Sequence, residues 1–254
     1  MLWRLFKKDN QWVLAFYVNM RINKYLASAG LGSRRKCEEF VTSGRVVING
    51  KVETNLAFDV SEKDVVKVDG IKVYLPESFT YLMMHKPKGY LTTVSDDRNR
   101  KTVMELLPDE FKNLMPIGRL DYNSEGLLLF TNDGQTAQKV MKPDRMVEKT
   151  YLVKVEGEVS GENVEEMEKG VELINGMKYK PCQIKILNIA DRKTKLEVKI
   201  TEGKNREIRK IFDNLGYNVI FLKRVAIGKI KLGGLTRGTC RLLRPTELMY
   251  LKSL

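Results

Sequence analysis

The chain has 254 residues, enough for one large domain and a small one, and its 43% apolar content is ordinary for a protein with a real core. Lys and Arg number 45 against 32 acids, a net charge of +13 that favours polyanionic partners, nucleic acid before acidic membranes. Three well-separated cysteines and one histidine argue against a disulfide framework and a zinc site, and they fit a reducing cytoplasm. The opening segment, residues 1–19, contains the apolar run WVLAFYV, too short to cross a bilayer and without a signal-peptide cleavage pattern. Met20 opens a better-patterned stretch and is read as the natural start, with 1–19 an extension.

From Arg21, the apolar positions Ile22, Tyr25, Leu26 and Ala29 recur at helical spacing, and Gly30 stops the helix. Ser33 is a good N-cap for a second helix, RRKCEEFVTSG, with Phe40 and Val41 on its buried side. RVVINGKVE reads as a hairpin on Asn49-Gly50, and DVVKVDGIKVYL as another strand pair around Asp69-Gly70. Residues 20–79 thus form a helix–helix–hairpin unit, and PESF (76–79) is a plausible junction. Arg34, Arg35, Lys36, Arg45 and Lys51 give this unit a basic surface; residues 200–254 supply a second basic zone, suiting two grips on one backbone.

Residues 80–254 alternate strands and helices. TYLMMHKP is a strand, VMELLPDEF a helix, and NDGQTAQKVMKP a helix capped by Asn132 or Asp133. KTYLVKVEGEV, YKPCQIKILNI, TKLEVKITEG, VIFLKRVAIGKIKL and TCRLLRP are strands. ENVEEMEKGVEL and NREIRKIFDNLGY are helices, and Thr246 caps a final one. The order predicts an α+β fold with a mixed, mainly antiparallel sheet flanked by helices.

Two stretches gather groups able to do chemistry. In GRLDYNSEGLLLFTNDG (118–134), a lone acid, Asp121, follows Arg119 in a polar turn ahead of an apolar run. Asp121, Asn123 and Ser124 are turn formers, so an Asx-turn accounts for them; Asp121 with Glu125 would also suit glycosidic-bond cleavage. In EGKNREIRKIFDNLG (202–216), Ile208, Ile211, Phe212 and Leu215 share one helix face, while Arg206, Arg209, Lys210 and Asp213 fall toward the other. A solvated face is the plain account. Yet a basic helix start directly after a strand and a glycine also suits phosphate or a carboxylate. His85, in MMHKPKGY, fits a structural or phosphate-side role better than nucleophilic catalysis. Pattern alone leaves open an enzyme of glycosidic bonds and a non-catalytic RNA-binding or ribosome-assembly protein.

GRLDYNSEGLLLFTNDG resembles the signature of ribosomal RNA pseudouridine synthases of the RsuA/RluB type. EKTYLVKV (148–155) is similar to that family's tyrosine motif and EGKNREIRK (202–210) to its basic motif, in the same order across residues 80–250. MRINKYLASAGLGSRRKCEEFVTSGRVVINGKV resembles the RNA-binding domain named for ribosomal protein S-four. The LDYNSEG form is closer to the branch acting on large-subunit ribosomal RNA. The resemblance implies uridine-to-pseudouridine isomerisation without cofactor or metal, by a cytoplasmic monomer acting on ribosomal RNA, free or within a pre-ribosomal particle. It implies Asp121 as the nucleophile or proton-abstracting carboxylate, Tyr151 stacked on the target base, and Arg209 paired with Asp121. It places Arg119 and Ile208 in the substrate pocket, and Arg34, Arg35, Lys36, Arg45, Lys51, Arg206 and Lys210 against RNA. Ser124 stands where Thr is expected, and Glu207 where Gln is more usual.

Overall fold

The computed structural model describes residues 19–76, 78–173 and 176–254, together with the backbone of 3–8 and 11–16. It divides into two compact units, Met1–Phe79 and Thr80–Leu254. In the first, β1 (Trp3–Lys8) pairs antiparallel with β2 (Gln11–Phe16). The side chains of that segment, and with them the expectation of a dispensable extension, lie outside the described residues. Then follow β3 (Met20–Arg21), α1 (Ile22–Ser28), α2 (Arg34–Thr42), β4 (Val46–Ile48), β5 (Lys51–Val52), β6 (Asp59–Val60), β7 (Val66–Val68) and β8 (Ile71–Lys72).

Ser33 caps α2 as expected, its Oγ accepting the Lys36 N–H at 3.2 Å. Asn49 (φ 51°) and Gly50 (φ 84°) both take the left-handed backbone that a tight β4–β5 turn demands. The sheet runs β5-β4-β7-β8, antiparallel throughout, and β3 pairs with β6. Ile22 and Leu26 of α1 and Cys37 and Val41 of α2 pack on Val46 and Val60 with no solvent exposure. Period-3.6 and period-2 apolar patterns meet in this one small core.

The second unit is built on a sheet of nine strands among the described residues. Its elements are β9 (Tyr81–Lys86), β10 (Met115–Ile117), β11 (Glu125–Thr131), α3 (Gly134–Met141), β12 (Lys149–Glu156), α4 (Gly161–Glu168), β13 (Gln183–Ala190), β14 (Lys193–Ile200), α5 (Glu207–Asn214), β15 (Val219–Ile227), β16 (Ile230–Lys231), β17 (Cys240–Leu242) and α6 (Pro245–Ser253). The order is β13-β14-β12-β15-β11-β9-β17, with β10 beside β11 and β16 beside β15. The β11–β15 pair is parallel, over Glu125↔Lys223 and Gly126↔Arg224, and the other pairs are antiparallel. This is the expected α+β class with a mixed, mainly antiparallel sheet.

Strand β11 explains the unbroken apolar run. Leu128 and Phe130 enter one core with Val153, Leu196 and Phe212, while Leu127 and Leu129 enter another with Met83, Ala137 and Leu251. A strand covered on both faces reads as a continuous hydrophobic stretch. Gly126 is needed where β11 meets β15: a Cβ there would lie 2.2 Å from the Arg224 carbonyl oxygen.

Two local expectations are corrected. Residues 103–111 do not form one helix but two short 3-10 turns, Val103–Leu106 and Asp109–Phe111. Leu107 between them is extended (ψ 138°) because it precedes Pro108, and that position disfavours the helical region. The final helix starts earlier than Thr246, with Arg244 at its N-cap and Pro245 in the first turn.

Candidate active site

A cavity of about 760 Å³ opens at the ends of β11, β12 and β15. Asp121, Arg119, Tyr151, Arg206, Ile208 and Arg224 are among its lining residues. Each arrives from a different local device, and the device holding Asp121 is the most elaborate.

Asp121 sits in the turn between β10 and β11. The Ser124 N–H donates to the Asp121 carbonyl at 3.0 Å, closing the turn. Thr92 anchors the preceding residue twice: its hydroxyl donates to the Leu120 carbonyl (2.7 Å) and accepts the Leu120 N–H (3.2 Å). Beneath the turn lies Lys86 at the end of β9, with no solvent exposure. Its Nζ donates to three carbonyls, Pro87 (3.0 Å), Asp121 (3.1 Å) and Ser124 (3.0 Å). Three donors meet three acceptors, so the buried ammonium is fully satisfied. Burial pulls it down to about 8, and the Asp121 charge opposes that fall.

The Asp121 side chain is 29% exposed, and Arg209 Nε lies 3.9 Å from its Oδ2. That is an ion pair at the limit of contact, not a hydrogen bond; Nε is buried and has no hydrogen-bond partner among the described residues. The rest of the Arg209 fork is committed. Nη1 donates to the Val219 carbonyl (2.8 Å), and Nη2 to the Asn123 carbonyl (3.2 Å) and Ser124 Oγ (3.4 Å). Arg209 therefore ties α5 and β15 to the Asp121 turn and leaves the carboxylate unlocked. Burial, then Arg206, lowers its guanidinium pKa, with Asp121 opposing.

Tyr151 is a strand residue, 7% exposed, paired across β12 and β15 with Arg224. Paired residues in an antiparallel ladder share a face, which puts an aromatic ring and a guanidinium side by side at the cavity. Arg224 is 5% exposed; its Nε donates to the Leu127 carbonyl at 2.8 Å. Lys149, two residues before Tyr151, also lines the cavity, and burial lowers its pKa.

The remaining sequence candidates separate. Arg119 and Arg206 are exposed at the cavity, Ile208 is buried in its wall, and Lys210 is half-buried one residue beyond Arg209. In the first unit, Arg34, Arg35, Lys36, Arg45 and Lys51 are exposed. Arg45 is engaged: it forks onto Asp69 (2.8 and 2.5 Å) and lies 4.5 Å from the Phe40 ring centroid. Glu125, weighed above as a partner acid, is buried against Arg237 at 3.4 Å and does not line the cavity, so the two-carboxylate arrangement is not formed. His85 is buried with Nδ1 2.8 Å from the Leu235 carbonyl, a packing role.

Sequence reasoning missed Lys86, Lys149 and Arg224. Lys86 carried a readable signal, a lysine closing an all-apolar strand before a proline. Its three partners lie one and 35–38 residues away along the chain, and no spacing rule reaches that far.

Residues 80–214 match the RNA pseudouridylate synthase family, and residues 20–73 match the S4 domain. The chain belongs to the RNA pseudouridine synthases. Ribosomal large subunit pseudouridine synthase B of Bacillus subtilis (strain 168) is 39% identical over 236 residues, covering 92% of this chain and 96% of that protein. An RNA pseudouridine synthase of Aquifex aeolicus (strain VF5) is 41% identical over 92% of this chain and 94% of its own. A crystal structure of a pseudouridylate synthase superposes with a TM-score of 0.68 at 26% identity, over 91% of this chain and 99% of that one. The synthase has no helix long and apolar enough to cross a membrane among its described residues.

Proposed function

We propose that this synthase converts a specific uridine of ribosomal RNA, in the large subunit, to pseudouridine, with Asp121 as the reacting carboxylate. One observation carries the reading: a partly exposed carboxylate beside a cationic Nε that does not lock it, in a cavity that also presents a tyrosine ring. The C1′–N1 bond of the target breaks, the base turns, C1′ bonds to C5, and the proton lost from C5 is balanced by one gained at N1. Asp121 acts on that linkage, either by adding to the ribose or by abstracting a proton. A paired guanidinium favours its ionised form. The target must leave its stack to reach the cavity, and Tyr151 is the platform for the everted base. Arg119 and Ile208 complete the pocket. Arg206 and Lys210, with Arg34, Arg35, Lys36 and Lys51, hold the RNA backbone. The family resemblance and the large-subunit enzyme of Bacillus subtilis support the substrate class. No cofactor is needed, because both fragments of the broken bond stay on the enzyme, which acts in the cytoplasm as a monomer.

The test is a map of pseudouridines in ribosomal RNA from a deletion strain, complemented with the wild-type gene or with Asp121→Asn. One large-subunit site is expected to vanish on deletion, return with wild type and stay absent with Asp121→Asn. Restoration by Asp121→Asn would favour the non-catalytic assembly role, and free uracil as product would favour glycosidic cleavage.

A further inference from the structure

One buried guanidinium at the cavity is left largely uncommitted by the protein. Arg224 stands in the middle of a row across the sheet, opposite Tyr151 of β12 on one side and Gly126 of β11 on the other. Its Nε donates to the Leu127 carbonyl at 2.8 Å, the one hydrogen bond the side chain makes among the described residues. Nη2 is buried without a partner, and the fork joins no ion pair among those residues. Yet Arg224 is only 5% exposed and lines the cavity. The neighbouring cations differ. Lys86 meets three carbonyls with three donors, and both terminal nitrogens of Arg209 are bonded. A buried N–H without an acceptor is costly until a bound molecule supplies one.

Position selects the acceptor. Arg119 and Arg206 are exposed at the cavity, where a sugar–phosphate backbone reaches them. Arg224 is buried and shares a sheet face with Tyr151, and side chains so paired start about 5 Å apart. A pyrimidine lying on the tyrosine ring therefore brings a base edge to the fork. Uracil presents carbonyl oxygens O2 and O4 there, and a guanidinium has only donors. The chemistry needs such a donor. Whether Asp121 adds to C1′ or takes a proton from the ribose, the electron pair of the C1′–N1 bond leaves with the base. Asp121 loses its charge, and the departing uracil gains one, spread over O2 and O4. Closure returns the pair to a C1′–C5 bond, with one proton lost from C5 and one gained at N1. N1 and C5 flank C6, so a turn about the C6–N3 axis exchanges them and exchanges O2 with O4. A donor fixed at one carbonyl position meets an equivalent oxygen before and after the turn.

We propose that Arg224 is a further catalytic residue: its unpartnered Nη2 binds a carbonyl oxygen of the target uracil and stabilises the negative charge that moves onto the base as C1′–N1 breaks. The inference rests on the synthase reading above, with Tyr151 as the base platform. Two guanidiniums then divide the work. Arg209 lies beside Asp121 while the charge is on the carboxylate, and Arg224 meets that charge once it is on the base. The Leu127 carbonyl holds the fork in place beforehand, so the donor does not have to reorganise as the bond breaks.

The test uses the full chain and ribosomal RNA transcripts of both subunits, made with UTP, 2-thio-UTP or 4-thio-UTP. Sulfur is a weak acceptor, so each thio transcript weakens one carbonyl contact. Single-turnover formation of pseudouridine, or of its thio form, is read by nucleoside chromatography, and Kd by filter binding, for wild type, Arg224→Met and Arg224→Lys. Arg224→Met is expected to slow the reaction of ordinary RNA by about 100-fold or more while Kd stays within about threefold. At least one thio transcript slows wild type by about tenfold and slows the variants by less than about twofold, because they have already lost the contact. If Arg224→Met gives no cooperative melt, Arg224→Lys carries the comparison, since its single ammonium stays on the Leu127 carbonyl. Equal thio penalties in wild type and variants, no thio penalty in wild type, or a Kd that rises as much as the rate falls overturns the proposal. A wild type that makes no pseudouridine on either transcript sinks the synthase reading instead.

Discussion

In the first unit the basic side chains stand outward. Arg34, Arg35 and Lys36 are exposed at the start of α2, and the closest ion pair among the described residues of this unit, Arg45 with Asp69, is about half exposed on both sides. In the second unit, Lys86 has no exposure, Arg224 has 5%, and the Arg209 side chain has 13%. Both units are rich in cations, but the solvent around them differs. Exposed charges interact through a high dielectric and salt screens them, so their effects are graded and nearly additive. Buried charges persist only when hydrogen bonds fix them in one geometry, so their loss moves whatever they hold. The first unit is built to attract RNA and the second to place atoms.

The sharpest break in that comparison comes at the proposed reacting group. Asp121→Asn should lower pseudouridine formation by at least about 10⁴-fold, as loss of a reacting carboxylate does elsewhere, while Kd for the RNA transcript changes little. Single-turnover product formation alongside filter binding would show the split. Equal losses in both would mean that Asp121 holds RNA and does no chemistry.

Lys86 comes next. Lys86→Met removes two hydrogen bonds from the Asp121 turn and a third from the Pro87 carbonyl, and leaves three carbonyls to find other partners. A displacement of about 1 Å at the carboxylate is enough for a loss of about 100-fold in kcat with RNA binding kept. The same residue sets a pH limit on kcat. Above about 8 the ammonium loses its proton, and a neutral amine has two donors for three acceptors. The stability contribution has the opposite sign. Between about 8 and the ordinary lysine value, the native state binds fewer protons than the unfolded chain, so this residue's contribution rises with pH. A kcat that falls above pH 8 without a matching fall in Tm would separate the two effects; a flat kcat to pH 9.5 would remove Lys86 from the account.

What was legible in the sequence follows the same division. Ser33, the Asn49-Gly50 turn and the alternation of Val46 and Ile48 are local, and local rules reached them. Motif resemblance pointed to Asp121, Tyr151 and Arg209, but the cavity that brings Asp121 and Tyr151 together, and the approach of Arg209 to Asp121, depend on sheet order and are not in any one stretch. The helix expected over 103–111 failed at a single residue, Leu107, where a proline one step on outweighed the apolar spacing. Glu125 looked like a partner for Asp121 because two carboxylates can share acid and nucleophile work. Strand geometry sends it to Arg237 instead.

A smaller and screenable effect is expected from the outward cations. Replacing Arg34, Arg35 and Lys36 together by Ala should raise the RNA Kd by about tenfold at low salt, flatten the log Kd against log salt slope by about 2, and leave saturated kcat unchanged. If the slope stays at its wild-type value, these residues do not contact phosphate, and the first unit captures RNA through another face.

The smallest contrast uses one device at two depths. Ser33 caps α2 at the surface with a single bond, to the Lys36 N–H at 3.2 Å. Asp133 caps α3 in the interior with four, from the Gln135 and Thr136 N–H groups, the Thr136 hydroxyl and the Tyr81 hydroxyl. Burial would raise the Asp133 carboxyl pKa, but bonds from Thr136, Tyr81 and Gln135 outweigh it and hold it below the usual carboxylate range. A depressed folded-state value means that its stabilisation is present above the unfolded pKa and fades as pH falls through the folded one. Ser33→Ala should then cost about 1 kcal/mol at any pH, whereas Asp133→Ala costs about 3 kcal/mol at neutral pH and progressively less in acid. Urea unfolding of both variants at pH 7 and pH 3 measures the difference. Equal costs at pH 7 would show that depth adds nothing to a helix cap here, and would weaken the contrast between outward and inward polar groups on which the two units were distinguished.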